Sequence, residues 1–451
     1  MNERETIVEG REVSSPEGAQ PFRPVTEKHR LTSVDVLRGV ALLGILTMNI
    51  VAFSYPFTLY MNPVALGPIS AADWWSWAIS HLLFEQKFMA IFSMLFGAGL
   101  VLMWDRAEAQ GRSIFGVWMR RNLWLMLIGL LHGFLLWFGD ILFVYGSCGL
   151  LIYFFRRFRP RTLAVLGLLV VTGFVGIFTL QAIYFDLLRS QHQQAVEKLE
   201  AGEELSETQK QLKQTWIQTQ KAISPDPAKL QEEIEIYRNG TYLEQLIHRA
   251  PTALQTLVIG LFTFGLWRAG GLMLLGMALM KWGVFSAALS RAAYLRLTIG
   301  GYLLGLPFVV WSINVLTEND YDLFKLFGGD IYINYFASLP VALGHVGLVM
   351  LFCKSSLGQG LKDRLAAVGR MAFTNYLMHT VLCTTLFYGS YGLGLFASFS
   401  RTELWLVVLG VWILQLIYSP LWLKHFRFGP AEWLWRSLTY FKLQPMRKQS
   451  A

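Results

Sequence analysis

The chain has 451 residues, of which 54% are hydrophobic and only 15% charged, and its formal net charge is +9. A soluble globular protein usually has about a quarter of its residues charged. Apolar runs of the length needed to cross a bilayer, about 20 residues, recur along the chain. The composition therefore predicts an all-α polytopic transmembrane helix bundle and excludes a soluble domain. The positive charge does not indicate nucleic-acid binding, because it is concentrated in particular connections.

The apolar runs predict ten transmembrane spans. They lie near residues 34–56, 84–104, 119–138, 140–156, 163–185, 251–283, 294–316, 331–353, 367–389 and 403–423. The first run follows a polar segment without a small-residue cleavage pattern, which predicts a retained helix rather than a signal peptide. Segment 251–283 is long for one crossing and short for two, so we expect part of it at the outer interface or entering partway.

Basic residues alternate between the connections and predict the orientation. Connection 57–83 has no Lys or Arg, whereas "RRFRPR" at 156–161 is strongly basic. Lysine and arginine accumulate in cytoplasmic loops. The alternation stays in register only if 251–283 crosses once, with both termini in the cytoplasm. The expected location is the bacterial cytoplasmic (inner) membrane.

This topology divides the chain into five parts. They are a cytoplasmic polar tail at 1–33, spans 1–5 at 34–185, an extracytoplasmic helical insert at 186–250, spans 6–10 at 251–423, and a cytoplasmic basic amphipathic tail at 424–451. The tryptophan-rich stretch 71–84 predicts an interfacial helix on the outer face. In the insert, 195–220 reads as one polar helix, "SPDP" as a break, and 228–240 as a helix ending at a glycine. A lid over an outer site and a simple spacer both remain open for the insert.

Four charged residues lie at the cytoplasmic ends of the first and third spans: Asp35, Arg38, Arg120 and Arg121. Asp35 and Arg38 are three residues apart, so they share a helix face and can pair. One interpretation is a helix-end ion pair together with positive-inside anchors. The other is a site for an anionic group, since the arginine fork matches phosphate geometry.

Six polar residues lie nearer the outer side: Asn49, His81, Glu85, His132, Asp140 and His379. Such groups are costly at membrane depth and need a partner, a water cavity or a function. Each could simply be hydrogen-bonded to a neighbour, but their similar predicted depth favours a polar cavity facing outward. Histidine can remove a proton near neutral pH, and His81 and His132 are better placed for this than His379. His345 could belong to the same cavity.

Several stretches resemble a known family. "SVDVLRGVALLGILTMN", "FEQKFMAIFSMLFGAGL" and "GRMAFTNYLMHTVLCTTLFYGSYGLGLF" resemble landmarks of the YeiB-like bacterial inner-membrane proteins. "VDVLRG" with Asn49 eleven residues after Arg38 is also distantly similar to the first span of heparan-alpha-glucosaminide N-acetyltransferase and the transmembrane acyltransferase superfamily. That resemblance implies acyl transfer from cytoplasmic acyl-CoA to a sugar on the far side. It places Asp35 and Arg38 in a shared signature and Asn49 in the active site. Tyr60 stands where that family has its catalytic histidine.

The residues and the resemblance together predict one mechanism. Acyl-CoA would dock with its phosphates near Arg38, Arg120 and Arg121, and its thioester would extend toward Asn49. His81 or His132, oriented by Glu85 or Asp140, would deprotonate a small-molecule acceptor, and Asn49 would bind the developing oxyanion.

Two other function classes remain open: a transporter for a small polar or anionic solute, and a membrane sensor with the insert as its ligand domain. The expected partners are the lipid bilayer and a small-molecule acceptor, not nucleic acid, and a homo-oligomer stays open. The scattered histidines do not have metal-ligand spacing.

Overall fold

The computed structural model describes residues 31–224, 226–326 and 331–448. Helices dominate these residues, and no strand beyond one isolated bridge occurs among them. The first helices are α1 (Thr32–Ser54), α2 (Thr58–Met61), α3 (Ala71–Leu83), α4 (Lys87–Ala109), α5 (Phe115–Leu135), α6 (Leu142–Ile152), α7 (Pro160–Glu200), α8 (Glu207–Ile223) and α9 (Pro227–Asn239). The later helices are α10 (Tyr242–Leu254), α11 (Gly271–Lys281), α12 (Arg291–Glu318), α13 (Leu323–Lys325), α14 (Ile331–Lys354), α15 (Gln359–Arg370), α16 (Ala372–Phe387), α17 (Arg401–His425) and α18 (Pro430–Tyr440). The predicted all-α class is confirmed.

Among the residues that the structure describes, seven helical stretches are long and apolar enough to cross a membrane. They are Thr32–Ser54, Ala71–Ala109, Pro160–Glu200, Leu261–Lys281, Arg291–Glu318, Ile331–Lys354 and Arg401–His425. Leu142–Phe155 is a shorter apolar helix, and α5 and α16 coincide with two further expected spans. The count of ten and the cytoplasmic position of the termini stay predictions. Most of the polar tail at 1–33 lies outside the described residues.

The segment between the insert and α11 is one unbroken helical run. Two π-helical segments, Gln255–Ile259 and Leu261–Gly270, join α10 to α11. Wider π-helical turns are rare and often occur at functional positions. Pro251 lies just before them, and a proline removes one backbone donor from the helix ladder. Helical pitch therefore changes within 251–283, and the expected position of part of this segment at the outer interface or partway into the membrane stays a prediction.

The insert is helical, but its first helix was predicted wrongly as continuous over 195–220. The fifth expected span continues without a break as α7 to Glu200, and a turn containing Gly202 at φ 78° follows. Ser206 then caps α8 through a capping box with Gln209, because its side chain accepts the orphan Gln209 N–H. The predicted stop at Gly240 after α9 is confirmed. Pro225 in the predicted break lies outside the described residues.

The insert is anchored to the end of the bundle where α1 ends and α17 begins. Tyr237 of α9 is buried and stacks on Phe396, with the ring centroids 4.7 Å apart. Its carbonyl accepts the Gly389 N–H at 2.8 Å. Ile234 and Tyr237 share a hydrophobic cluster with Phe53 and Trp137 of the bundle. The insert therefore covers part of this end, which we call the outer end.

Candidate functional site

A buried histidine near the outer end holds a carboxylate on one ring nitrogen and a hydroxyl on the other. His132 Nδ1 lies 2.8 Å from Asp140 Oδ2, and His132 Nε2 lies 2.8 Å from Thr380 Oγ1. A carboxylate accepts only, so with Asp140 ionised Nδ1 carries the proton and Nε2 accepts the threonine O–H. All three side chains are buried. We call this group the His132 relay.

Local sequence explains the position of Asp140. It lies in the turn between α5 and α6, where its Oδ1 accepts the Phe143 N–H at 2.9 Å. Gly129 of α5 faces this turn, and an added Cβ there would lie 2.6 Å from Asp140 Oδ1. The residue must be a glycine for the turn to approach α5 so closely. This close packing brings the carboxylate to His132.

Asn49 lies on α1 one turn before two residues that contact Trp137. Ala52 and Phe53 follow it by three and four residues and therefore share its helix face. The Ala52 carbonyl accepts the Trp137 Nε1–H at 3.2 Å, and Phe53 stacks on Trp137 with centroids 3.9 Å apart. The Trp137 ring lies 6.4 Å from the His132 ring. Asn49 itself is half-buried.

A second histidine has a similar arrangement. His81 at the end of α3 pairs through Nδ1 with Glu85, and its Nε2 lies 3.4 Å from Ser312 Oγ. The neighbouring Lys87 is fully buried and donates to the His81 carbonyl at 2.6 Å and to Asn334 Oδ1 at 2.8 Å. The predicted His81–Glu85 pair is present. His81 thus has a carboxylate and a hydroxyl as potential partners, as His132 does.

The other two candidate histidines, His379 and His345, have different surroundings. His379 Nε2 lies 3.1 Å from Gln415 Oε1, in a buried amide network that includes Asn375. His345 bonds Tyr302 through Nδ1 at 2.8 Å and the Leu83 carbonyl through Nε2 at 2.9 Å. Both nitrogens of His345 are therefore occupied by neighbouring protein groups. The structure distributes the predicted outer residues over separate hydrogen-bonded groups.

At the opposite end of the bundle, three arginines approach one another. Arg38 NH1 lies 3.0 Å from Asp35 Oδ1, which confirms the predicted pair. Arg121 experiences the charges of Arg38 and of Arg436 in α18. Burial lowers the pKa of the Arg436 guanidinium, and the charge of Arg38 acts in the same direction, whereas Tyr440, Glu432 and Asp35 oppose it. An anion between these arginines would relieve their repulsion. We call Arg38, Arg121 and Arg436 the arginine cluster.

Helix α18 is held firmly in this position. The Glu432 carboxylate accepts the N–H groups of Phe373 at 2.7 Å and Thr374 at 3.1 Å, which are the orphan donors at the start of α16. Trp435 donates to the Arg121 carbonyl at 2.8 Å and lies under the Arg121 guanidinium at 3.7 Å. Arg120 instead donates to the Thr439 carbonyl at 2.9 Å. Arg120 therefore supports α18.

Sequence reasoning missed several charged or hydroxyl groups. Arg268 is fully buried in the π-helical run and donates to the Tyr335 carbonyl at 2.6 Å and to Ser338 Oγ. An arginine inside a predicted span is itself a functional signal and could have identified Arg268. Thr380 and Arg436 gave no comparable signal, because their partners are distant in sequence. Among the residues that the structure describes, no three His, Cys, Asp or Glu side chains are grouped as metal ligands.

The fold and its buried polar groups define a polytopic α-helical membrane protein. Comparison with known proteins gives its family. The chain is 33% identical over 414 residues to the uncharacterized protein YeiB of Escherichia coli (strain K12), covering 91% of this chain and 96% of that protein. It is 30% identical over 446 residues to the uncharacterized protein YxaH of Bacillus subtilis (strain 168), covering 95% and 99%. Residues 279–442 match the family model described as "Protein of unknown function (DUF418)". The chain belongs to the YeiB-like family.

Proposed function

We propose that this protein is a transmembrane acyltransferase that moves an acyl group from cytoplasmic acyl-CoA to a hydroxyl- or amine-bearing acceptor on the outer side. The observation that carries the proposal is the His132 relay, in which Asp140 orients the ring and Nε2 already accepts a hydroxyl proton. This is the geometry of a general base with its orienting group. The arginine cluster at the other end supplies a site for the phosphates of CoA.

The reaction follows from these positions. The acceptor hydroxyl occupies the place of the Thr380 hydroxyl and gives its proton to His132 Nε2. The acceptor oxygen then bonds to the acyl carbon, the carbon–sulfur bond of the thioester breaks, and His132 returns the proton to the CoA sulfur. Asn49 of α1 donates a hydrogen bond to the oxyanion that develops on the acyl oxygen. The relay is enclosed in this structure, so substrates enter when the surrounding helices separate.

The donor side is tested by binding. Calorimetry with purified protein in detergent should detect acetyl-CoA, and Arg436→Gln should weaken binding about tenfold or more, which is about 1.4 kcal/mol. Lys442→Gln is the matched control, because it removes one positive charge from an exposed position of the same tail. The proposal is contradicted if Arg436→Gln and Lys442→Gln bind acetyl-CoA with equal affinity, or if folded wild-type protein does not bind acetyl-CoA.

The catalytic step has a separate test. Transfer of labelled acetyl groups to extracytoplasmic material should fall at least a hundredfold in His132→Ala, which lies within the typical contribution of a general base of about 10² to 10⁴. His81→Ala separates the two histidines. If His81→Ala abolishes transfer and His132→Ala does not, the base is His81 with Glu85, and the His132 relay is structural.

One observation favours an anion transporter instead. Lys87 and Arg268 are both fully buried, and they bond neighbouring residues of α14: Lys87 donates to Asn334 and Arg268 donates to Tyr335. Buried basic residues at membrane depth are typical of transport pathways, and Arg268 lies in the irregular π-helical run. Uptake of a labelled anion into proteoliposomes without acyl-CoA, lost in Arg268→Gln, would support transport and argue against acyl transfer.

The membrane arrangement is part of the proposal. We propose ten spans in a bacterial cytoplasmic membrane with both termini in the cytoplasm, supported by the basic connections and by the apolar helices. Topology reporters fused after residues 200 and 448 should lie on opposite sides of the membrane. Equal signals at both positions would refute this topology.

A further inference from the structure

Two clefts at the outer end meet at one arginine. The narrow cleft, about 20 Å³, lies between α1, α3 and α17 and is lined by Val51, Tyr60, Ser80 and Arg401 among others. The wide cleft, about 390 Å³, is lined by Tyr55, Asp73, Gln231, Arg238, Ser400 and Arg401. Arg401 is the residue common to both linings. A solute in the wide cleft therefore meets its side chain where the two clefts share a wall.

Arg401 is a buried cation that is close enough to Asp73 to experience its charge but forms no ion pair with it among the described residues. It is 9% exposed and donates from NH2 to the Leu59 carbonyl. Asp73 is the acidic group that lines the wide cleft, and its Oδ1 is engaged by Thr402, at 2.9 Å from the N–H and 3.0 Å from the hydroxyl. The ion pairs found among the described residues do not include Arg401. A buried guanidinium in this state strongly favours an anionic partner.

The linings indicate what kind of anion fits. The wide cleft is lined by two arginines, Arg238 and Arg401, and by one carboxylate, Asp73, so the formal net charge of its lining is +1. The narrow cleft combines the hydroxyls of Ser76 and Ser80 with the rings of Tyr60, Trp77 and Trp405. The narrow cleft has room for about one water molecule, so it admits a single hydroxyl of a solute whose body lies in the wide cleft. A carboxylate or phosphate would bind the arginine fork, and that hydroxyl would bind the serines.

Insert helix α9 forms one wall of this site. Gln231, Ile234 and Arg238 line the wide cleft from α9. Arg238 is fixed there, because its Nε donates to the Phe396 carbonyl at 2.5 Å and its NH2 lies 3.3 Å from Ser398 Oγ. The insert is therefore part of the site and not only a spacer.

We propose that Arg401 binds the carboxylate or phosphate of a small hydroxyl-bearing solute, which enters through the wide cleft beside α9. Resting on the proposed function, this solute is the acyl acceptor, held at the outer end of α1. The acceptor class is thus an anionic polyol, such as a sugar acid or a sugar phosphate.

The electrostatic part is tested by thiol labelling in the intact protein. Gln231→Cys in the wide cleft is treated with an anionic and a cationic methanethiosulfonate reagent, each rate being divided by that for a free thiol. We expect the anionic reagent to react several-fold faster, with the preference reduced in Gln231→Cys/Arg401→Gln and kept in Gln231→Cys/Arg401→Lys. Lys424→Gln, which removes a charge at the other end of α17, is the matched control. An unlabelled Gln231→Cys, or a preference unaffected by Arg401→Gln, overturns the proposal.

Protection of the same cysteine identifies the anion. Glucuronate, glucose 6-phosphate and glucose are compared at equal concentration. Protection by glucuronate alone indicates a carboxylate, and protection by glucose 6-phosphate alone indicates a phosphate. Equal protection by glucose, or protection that persists in Arg401→Gln, overturns the role of Arg401. Loss of acetyl-CoA binding with intact anion protection would remove the acyltransferase function and leave this site standing.

Discussion

The contact between α12 and α14 gives the most quantitative prediction. Gly300 and Gly301 are neighbours in α12, but they face different surroundings. A Cβ at Gly301 would lie 2.4 Å from the Pro340 carbonyl oxygen, about 1 Å inside the 3.4 Å limit of ordinary contact, whereas a Cβ at Gly300 meets nothing within 4 Å. Gly301→Ala must therefore push the two helices apart, at a cost of about 1 to 3 kcal/mol. Gly300→Ala should be neutral or stabilise by up to about 1 kcal/mol, because alanine favours the helix.

The assay is unfolding in mixed micelles, followed by tryptophan fluorescence for the wild type and the two variants. Both substitutions add the same methyl group one residue apart, so differences in helix propensity cancel. We expect Gly301→Ala alone to lower the midpoint. An equal effect of both substitutions, or an unchanged midpoint for Gly301→Ala, would refute the close approach of α12 and α14.

Three further predictions concern side-chain partners. The carboxylate of Glu233 raises the pKa of His248. Their pairing therefore stabilises the insert fully below the unfolded histidine pKa of about 6.5, and this stabilisation is lost as pH rises through the higher pKa of the folded protein. The melting temperatures of the wild type and Glu233→Gln should converge by pH 8.5, and a difference that does not change with pH would contradict this. Thr380→Val should destabilise by about 1 to 3 kcal/mol, because it leaves His132 Nε2 unpaired, whereas Thr380→Ser keeps the hydroxyl and should cost less; equal melting midpoints would argue against the relay. Glu432→Gln weakens the charged cap on α16 and should speed tryptic cleavage after Arg436, and unchanged cleavage would show that α18 is held by other contacts.

Interactions within one helix could be predicted from the sequence. Asp35 with Arg38 and His81 with Glu85 are spaced by three and four residues, and the structure contains both pairs. Helix geometry alone brings such side chains together. Asp140 was assigned as a candidate orienting group for a histidine, and it bonds His132 across one turn. These contacts need little information about distant parts of the chain.

Contacts between distant segments could not be predicted in the same way. Thr380 meets His132 across 248 residues, and Arg436 reaches the first span from the last described helix. Which helices become neighbours depends on the fit of many side chains at once, and one sequence carries no separate signal for it. For the same reason, the predicted depth of the six outer residues indicated one shared cavity, whereas in the structure the rotation of each helix gives them separate partners.

Hydropathy and charge by themselves determined that this protein is an all-α membrane bundle, because burying apolar side chains in lipid and satisfying every backbone group within helices are local requirements. They also determined where polar groups lie along each span. The tertiary structure alone decided which of those groups meet, bringing a threonine to His132, an arginine from the tail to Arg38, and the insert to Arg401. The physical reason is that helix packing sets the rotation and neighbours of each helix, whereas sequence periodicity sets only its length and depth.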